Sequence, residues 1–195
     1  VKAIRLEQPV IAVEALVERG MRATWFIVTG AMGKFPHWGA SGRPDGRMLD
    51  AASLRDMQSA GMEIGSHSVN HCRLPALADS RLRSELEQSK SALEDILACP
   101  VDSFAYPYGD WDERCEAEVI RAGYRFACTT RSGPALKDAH PQRLRRITVF
   151  NHDSTAALAR KLTLMNNDGG LATLFSYYRR RATHRLLQRK AGTAR

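Results

Sequence analysis

Residues 62–71 read MEIGSHSVNH, and the fold depends on how this stretch is parsed. MEIG (62–65) has the apolar content of a short strand, and Gly65 permits a tight exit from it. Ser66, Ser68 and Asn70 then follow as small hydrogen-bonding residues around two imidazoles, His67 and His71. A strand that ends by presenting such groups is the habit of α/β folds, where chemistry collects beyond the C-terminal ends of the strands.

The neighbouring segments agree. Upstream, ATWFIVT (23–29) is a continuous apolar, β-branched and aromatic run that reads as a buried strand. Before it, Val10, Val13, Leu16 and Val17 recur at helical spacing and Gly20 closes the run. Residues 30–48 read as a loop and 51–61 as a helix stopped by glycine. Downstream, Leu82, Leu86, Leu93, Ile96 and Leu97 make the apolar stripe of a helix over 79–97, with Asp79 or Ser80 as its N-cap. Strands are expected at 101–106, 124–130 and 145–150, and helices at 112–122, 154–164 and 171–190. Helix and strand alternate along nearly the whole chain, which predicts α/β architecture with a mostly parallel sheet or barrel.

The bulk numbers bound the function classes. A chain of 195 residues is the size of one domain, and 44% hydrophobic with 26% charged is ordinary globular composition. No apolar run approaches the roughly 20 residues that span a bilayer, and no N-terminal stretch has the layout of a signal peptide. A cytoplasmic or peripheral membrane location is therefore expected. The four cysteines are scattered, which fits buried thiols in a reducing compartment, although Cys72 directly follows His71. Residues 1–153 balance 20 Lys+Arg against 20 Asp+Glu, whereas residues 154–195 hold nine against Asp168 alone. The excess of +8 thus sits in the tail, read as a solvated helix face or as an attraction to an anionic membrane surface through residues 179–195. No base-reading motif accompanies it, so a specific nucleic-acid partner is not expected.

Three polar pieces follow strands: GSHSVNH (65–71), PYGDWD (107–112) and NHDS (151–154). Their convergence predicts one site. Imidazole suits zinc and its neighbours, and the His67/His71 spacing can bring two rings to one face. By itself this pair is a weak pattern, and surface or core histidines share it.

Taken together, ATWFIVTG, LRDMQSAGMEIGSHSVNH, LRSELEQSKSALEDIL and FAYPYGDWDE resemble, in order and spacing, the polysaccharide deacetylases of carbohydrate esterase family 4, the NodB homology family. The resemblance runs from about residue 9 to about residue 155 and implies a distorted (β/α)7 TIM-like barrel. The deacetylase-like domain is expected over 1–165, and the charge pattern makes 166–195 a basic amphipathic tail. The implied activity is a metal-dependent hydrolase acting on carbon–nitrogen bonds other than peptide bonds, which removes N-acetyl groups from amino-sugar polymers. Its cofactor would be a divalent metal, zinc above all, held by His67, His71 and an aspartate. Tyr108 in YPYG supplies the backbone N–H for the oxyanion, Pro107 fixes that turn and Gly109 lets backbone approach substrate. Trp111 stacks on a sugar face or serves packing, and His152 in VFNHDS corresponds to the general acid that protonates the departing amine. Having Ala105 in place of the usual arginine resembles the branch acting on exopolysaccharides.

One departure matters. The family's Thr-Phe-Asp-Asp motif, which supplies the base and the third metal ligand, falls on Lys2 and Ala3, and no aspartate precedes Asp45. The resemblance therefore predicts a chain lacking the first barrel strand at its N-terminus, with a weakened metal site and diminished activity. The alternative is an inactive relative that grips acetylated glycan or an anionic surface.

Overall fold

The computed structural model describes residues 7–35, 47–135, 140–150 and 152–168, together with 170, 172, 175 and 179. The chain divides into two compact units, the first comprising Val1–Thr129 with Asp138–Leu144, the second Thr130–Lys137 with Arg145–Arg195.

The first unit alternates as the sequence predicts: α1 (Glu7–Val17), β1 (Thr24–Ile27), α2 (Ala51–Ser59), β2 (Glu63–Ser66), α3 (Asp79–Leu97), β3 (Ser103–Ala105), α4 (Glu113–Arg121) and β4 (Phe126–Cys128). All neighbouring strands are parallel, in the order β1-β2-β3-β4, with Trp25 opposite Ile64, Ser66 opposite Phe104 and Phe104 opposite Ala127. Parallel pairing requires a crossover between strands, and α2, α3 and α4 supply the crossovers. The strand order follows the chain without reversal, unlike a doubly wound sheet. The sheet is open, with β1 and β4 at its edges, so the described residues do not form the expected seven-stranded barrel. Closure around a filled interior takes about eight strands.

The core lies between the sheet and its helices. Leu82, Leu86 and Leu93 of α3 are fully buried against Leu54, Val101, Phe104 and Val119, and burying each leucine contributes about 2 kcal/mol. Asp50 caps α2 by accepting from the Ser53 N–H at 2.9 Å, and Asp112 caps α4 by accepting from the Cys115 N–H at 2.7 Å. Asp79 is not the cap of α3. It is the first helical residue, Ala78 precedes it as a cap without a side-chain bond, and the Asp79 carboxylate pairs with Arg114 at 2.6 Å.

Gly65 does not serve as a turn. It lies inside β2, where an added Cβ would stand 2.7 Å from Phe26 Cε1 and 2.9 Å from the Ser103 carbonyl oxygen. The residue is needed for space, not for rotation. Beside it, Ser66 Oγ donates to Ser89 Oγ at 2.8 Å, and Tyr124 Oη donates to the Leu86 carbonyl at 3.1 Å, tying β2, α3 and the entry to β4 together.

The expected strand over 145–150 is not formed. Leu144 makes a single bridge to Cys128, and the chain then pairs inside the second unit. There the Arg145 N–H donates to Ala135 O at 3.2 Å and the Arg146 N–H to Arg131 O at 2.9 Å, so backbone groups that a ladder would need are committed to a loop. The second unit also contains α5 (Thr155–Leu164), capped by Ser154, which accepts from the Ala157 N–H at 3.2 Å. Lys161, buried in this unit, donates to Asp153 at 2.7 Å and to the Thr148 carbonyl at 3.1 Å. The expected helix over 171–190 and the basic stretch 179–195 lie almost wholly outside the described residues. Among the described residues no helix is long and apolar enough to cross a membrane.

Candidate active site

β2 and β3 run side by side, so their C-terminal ends deliver the next residues to the same edge of the sheet. His67 continues the ladder for one residue, its N–H donating to Ile27 O at 2.8 Å. Its ring turns toward β3, where Nδ1 lies 2.6 Å from the Ala105 carbonyl oxygen. A carbonyl can only accept, so Nδ1 carries the proton and Nε2 is the basic nitrogen. This is the arrangement that orients metal-ligating histidines.

The chain then folds back on itself. Ser68 and His71 both adopt left-handed backbone, with φ of 66° and 55°. Ser68 Oγ accepts from the His71 N–H at 3.0 Å, closing the turn. The Thr29 and Gly30 N–H groups donate to Ser68 O and Val69 O at 3.2 and 2.9 Å, and a Cβ on Gly30 would come within 2.7 Å of Val69 O. From below, the buried Glu85 carboxylate accepts from the backbone N–H groups of Val69 and Asn70. As a result the rings of His67 and His71, four residues apart, stand edge to face with centroids 4.8 Å apart. Both residues are buried.

The turn after β3 completes the cluster. Pro107 is buried, and Tyr108 takes φ of 60°, which swings its half-exposed ring to 4.6 Å from that of His71. The Arg73 guanidinium lies 4.5 Å from the centre of the Tyr108 ring and forms an ion pair with Asp110. His67, His71 and the Tyr108 ring thus lie side by side.

Trp111 has a different setting. It packs against the core beside Tyr106, with the Arg143 guanidinium over its ring at 4.3 Å. Arg143 is itself held by Glu116, Nε to Oε2 at 2.9 Å, and His140 Nδ1 lies 2.8 Å from the same carboxylate. His152 belongs to the second unit, where it is exposed and stacks on Phe150 with 5.4 Å between centroids. Cys72 is half-buried, and burial pushes its thiol pKa up.

The donor set suits a borderline cation in kind but is short in number. Two imidazoles converge, and among the described residues no group of three or more His, Cys, Asp or Glu side chains is placed to hold a metal ion. Sequence reasoning missed Glu85, Arg73 and Asp110, whereas Ser68 was named there as a hydrogen-bonding neighbour of the imidazoles. Glu85 did leave a signal, as an acidic residue within the apolar stripe of α3.

The polysaccharide deacetylase family model matches residues 10–127, and the chain belongs to this family. The curated protein YxkH of Bacillus subtilis, which carries the name polysaccharide deacetylase, is 26% identical over 138 residues, 71% of this chain and 46% of its own length. The deacetylase PplD of Streptococcus pyogenes, solved in complex with acetate, superposes with a TM-score of 0.67 at 23% identity, covering 77% of this chain and 63% of that one. The polysaccharide deacetylase BC0361 of Bacillus cereus gives 0.64 at 22% identity, covering 78% and 47%. These structures share the fold. The chain spans about half the length of the curated relative it matches.

Proposed function

We propose that this chain carries part of the active site of a metal-dependent polysaccharide deacetylase, which hydrolyses the N-acetyl amide of an amino-sugar polymer. The observation that supports this reading is the meeting of His67, His71 and Tyr108 at the C-terminal edge of β2 and β3. His67 and His71 would hold a divalent cation, zinc by preference for imidazole nitrogen. When bound, such a cation polarises the acyl carbonyl and lowers the pKa of a bound water. The protein's own part is positional. The Ala105 carbonyl fixes the His67 tautomer, Glu85 and Ser68 hold the loop of His71, and the backbone N–H of Tyr108 would donate to the oxyanion that develops on the acetyl oxygen. The third ligand and the base, aspartates in the family, have no counterpart before Asp45, and the closed barrel of the whole enzyme would need strands beyond the four described here.

The test is acetate release from N-acetylglucosamine oligomers with added zinc or cobalt, for the wild-type chain and for His67→Ala. Release that depends on the metal and on His67 supports the reading. A second reading is favoured by the two-member donor set: a relative that retains glycan without cleaving it. Oligomer binding with no acetate released, at any metal concentration, would select it.

A further inference from the structure

Glu85 stands in the middle of α3 on the face that carries Leu82, Leu86 and Leu93, and it is 1% exposed. Oε2 accepts from the Val69 N–H at 3.0 Å and the Asn70 N–H at 2.8 Å. Oε1 accepts from Asn70 Nδ2 at 2.6 Å and pairs with Arg81 Nη2 at 3.0 Å. One carboxylate therefore binds both consecutive peptides between Ser68 and His71, the two residues whose backbone is left-handed. Such backbone is unfavourable for serine and histidine and persists only where surroundings over-determine it. Burying a carboxylate is likewise unfavourable unless hydrogen bonds replace its water. Here the two features satisfy each other.

We infer that Glu85 is a positioning residue for His71: it fixes the folded-back loop that turns the second imidazole onto the first. The inference rests on reading His67 and His71 as ligands, and it deepens that reading. His67 is held independently, through Ile27 and Ala105, so loss of Glu85 acts on one histidine of the pair. Arg81, on the solvent side, balances the charge but touches neither peptide.

The test compares Glu85→Gln, Arg81→Ala and Glu118→Gln in the whole 195-residue chain. Glu118 is a second buried acid, on α4, paired with Arg83 and Arg121 and making no contact with the loop. Two readouts are taken: amide hydrogen exchange at Val69, Asn70 and His71, and the response of the two imidazole resonances to zinc chloride. For Glu85→Gln, loop exchange should rise at least about tenfold relative to the amides of β2 and α3, as expected when hydrogen bonds to a buried charge are lost. The zinc response of His71 should weaken more than that of His67. Arg81→Ala should leave both readouts near wild type, and Glu118→Gln should lower overall stability without loosening the loop. Loop exchange in Glu85→Gln that only matches Glu118→Gln would overturn the inference. If Glu85→Gln does not fold, Asn70→Ala removes the Nδ2 donor alone and should move loop exchange the same way; no movement there is equally fatal. The exchange arm needs no metal, so a loosened loop in a protein indifferent to zinc refutes the ligand reading while the role of Glu85 stands.

Discussion

The His71 and Tyr108 rings, borne by loops after different strands, lie 4.6 Å apart and are tilted by 59°. Each residue reaches that position through left-handed backbone, so the contact joins two turns that are separately unfavourable.

Tyr108→Phe keeps the ring between His71 and Arg73 and should change stability by less than about 0.5 kcal/mol. Tyr108→Gly relieves the backbone, which alone would stabilise by about 1 kcal/mol, but it removes both ring contacts. Urea unfolding of the pair of variants separates the two effects. A glycine variant more stable than wild type would show that the ring contacts are worth less than the backbone strain they offset.

Replacing His67 by alanine removes a buried ring and leaves the Ala105 carbonyl without its donor. A loss of about 2 kcal/mol in unfolding free energy is expected, together with loss of zinc uptake in equilibrium dialysis. His71→Ala should abolish zinc uptake equally, while the Ala105 bond survives. Undiminished zinc uptake in either variant would remove these side chains from the site.

Glu116 joins Arg143, His140 and, through Arg143, the ring of Trp111. Glu116→Gln removes the counter-charge of a guanidinium that is itself part-exposed, at a cost of about 1 kcal/mol. Thermal melts read the stability, and Trp111 fluorescence should shift as Arg143 is released. An unshifted emission would mean that Arg143 is seated without Glu116.

Alkali should destabilise the first unit before it affects the carboxylate pairs. Burial pushes the Cys115 thiol from 9.0 up to about 12 and the Tyr124 hydroxyl from 10.0 up to about 12, and it raises Tyr106 as well. In each case the folded value exceeds the unfolded one, so the stabilisation is complete below the unfolded values and is lost as pH climbs toward the folded values. Urea midpoints should therefore hold steady up to about pH 8 and fall steadily by about pH 11. Cys115→Ala should delay the onset. A flat profile across that window would contradict the burial argument.

The sheet and its crossovers were legible because buried strands and striped helices leave local patterns. Leu82, Leu86 and Leu93 alone place α3, and its observed bounds, Asp79–Leu97, match the stripe. RRITVF (145–150) has strand-like composition, yet its Arg145 and Arg146 N–H groups pair with residues 135 and 131, a tertiary choice that alternation cannot register. Asp79 has cap chemistry, but Arg114, distant in sequence, engages its carboxylate. At the site, His67, His71 and the YPYG turn were singled out through the family resemblance, since the histidine spacing by itself is a weak pattern. Arg73 and Asp110 could not be, since their significance exists only once β2 and β3 are adjacent. Gly65 was misread for a related reason: a glycine needed for close approach and one needed for rotation are the same letter.

That close approach bears on the histidines. Between the Phe26 ring and the Ser103 backbone there is no room for one methyl group at position 65. Alanine there would act as a wedge, spreading β2 from its neighbours and carrying His67 off the Ala105 oxygen that sets its protonation. A substitution that alters no functional group could thus silence the first imidazole from two residues away, and the tolerance of the site is set by the thinnest point of the sheet beneath it.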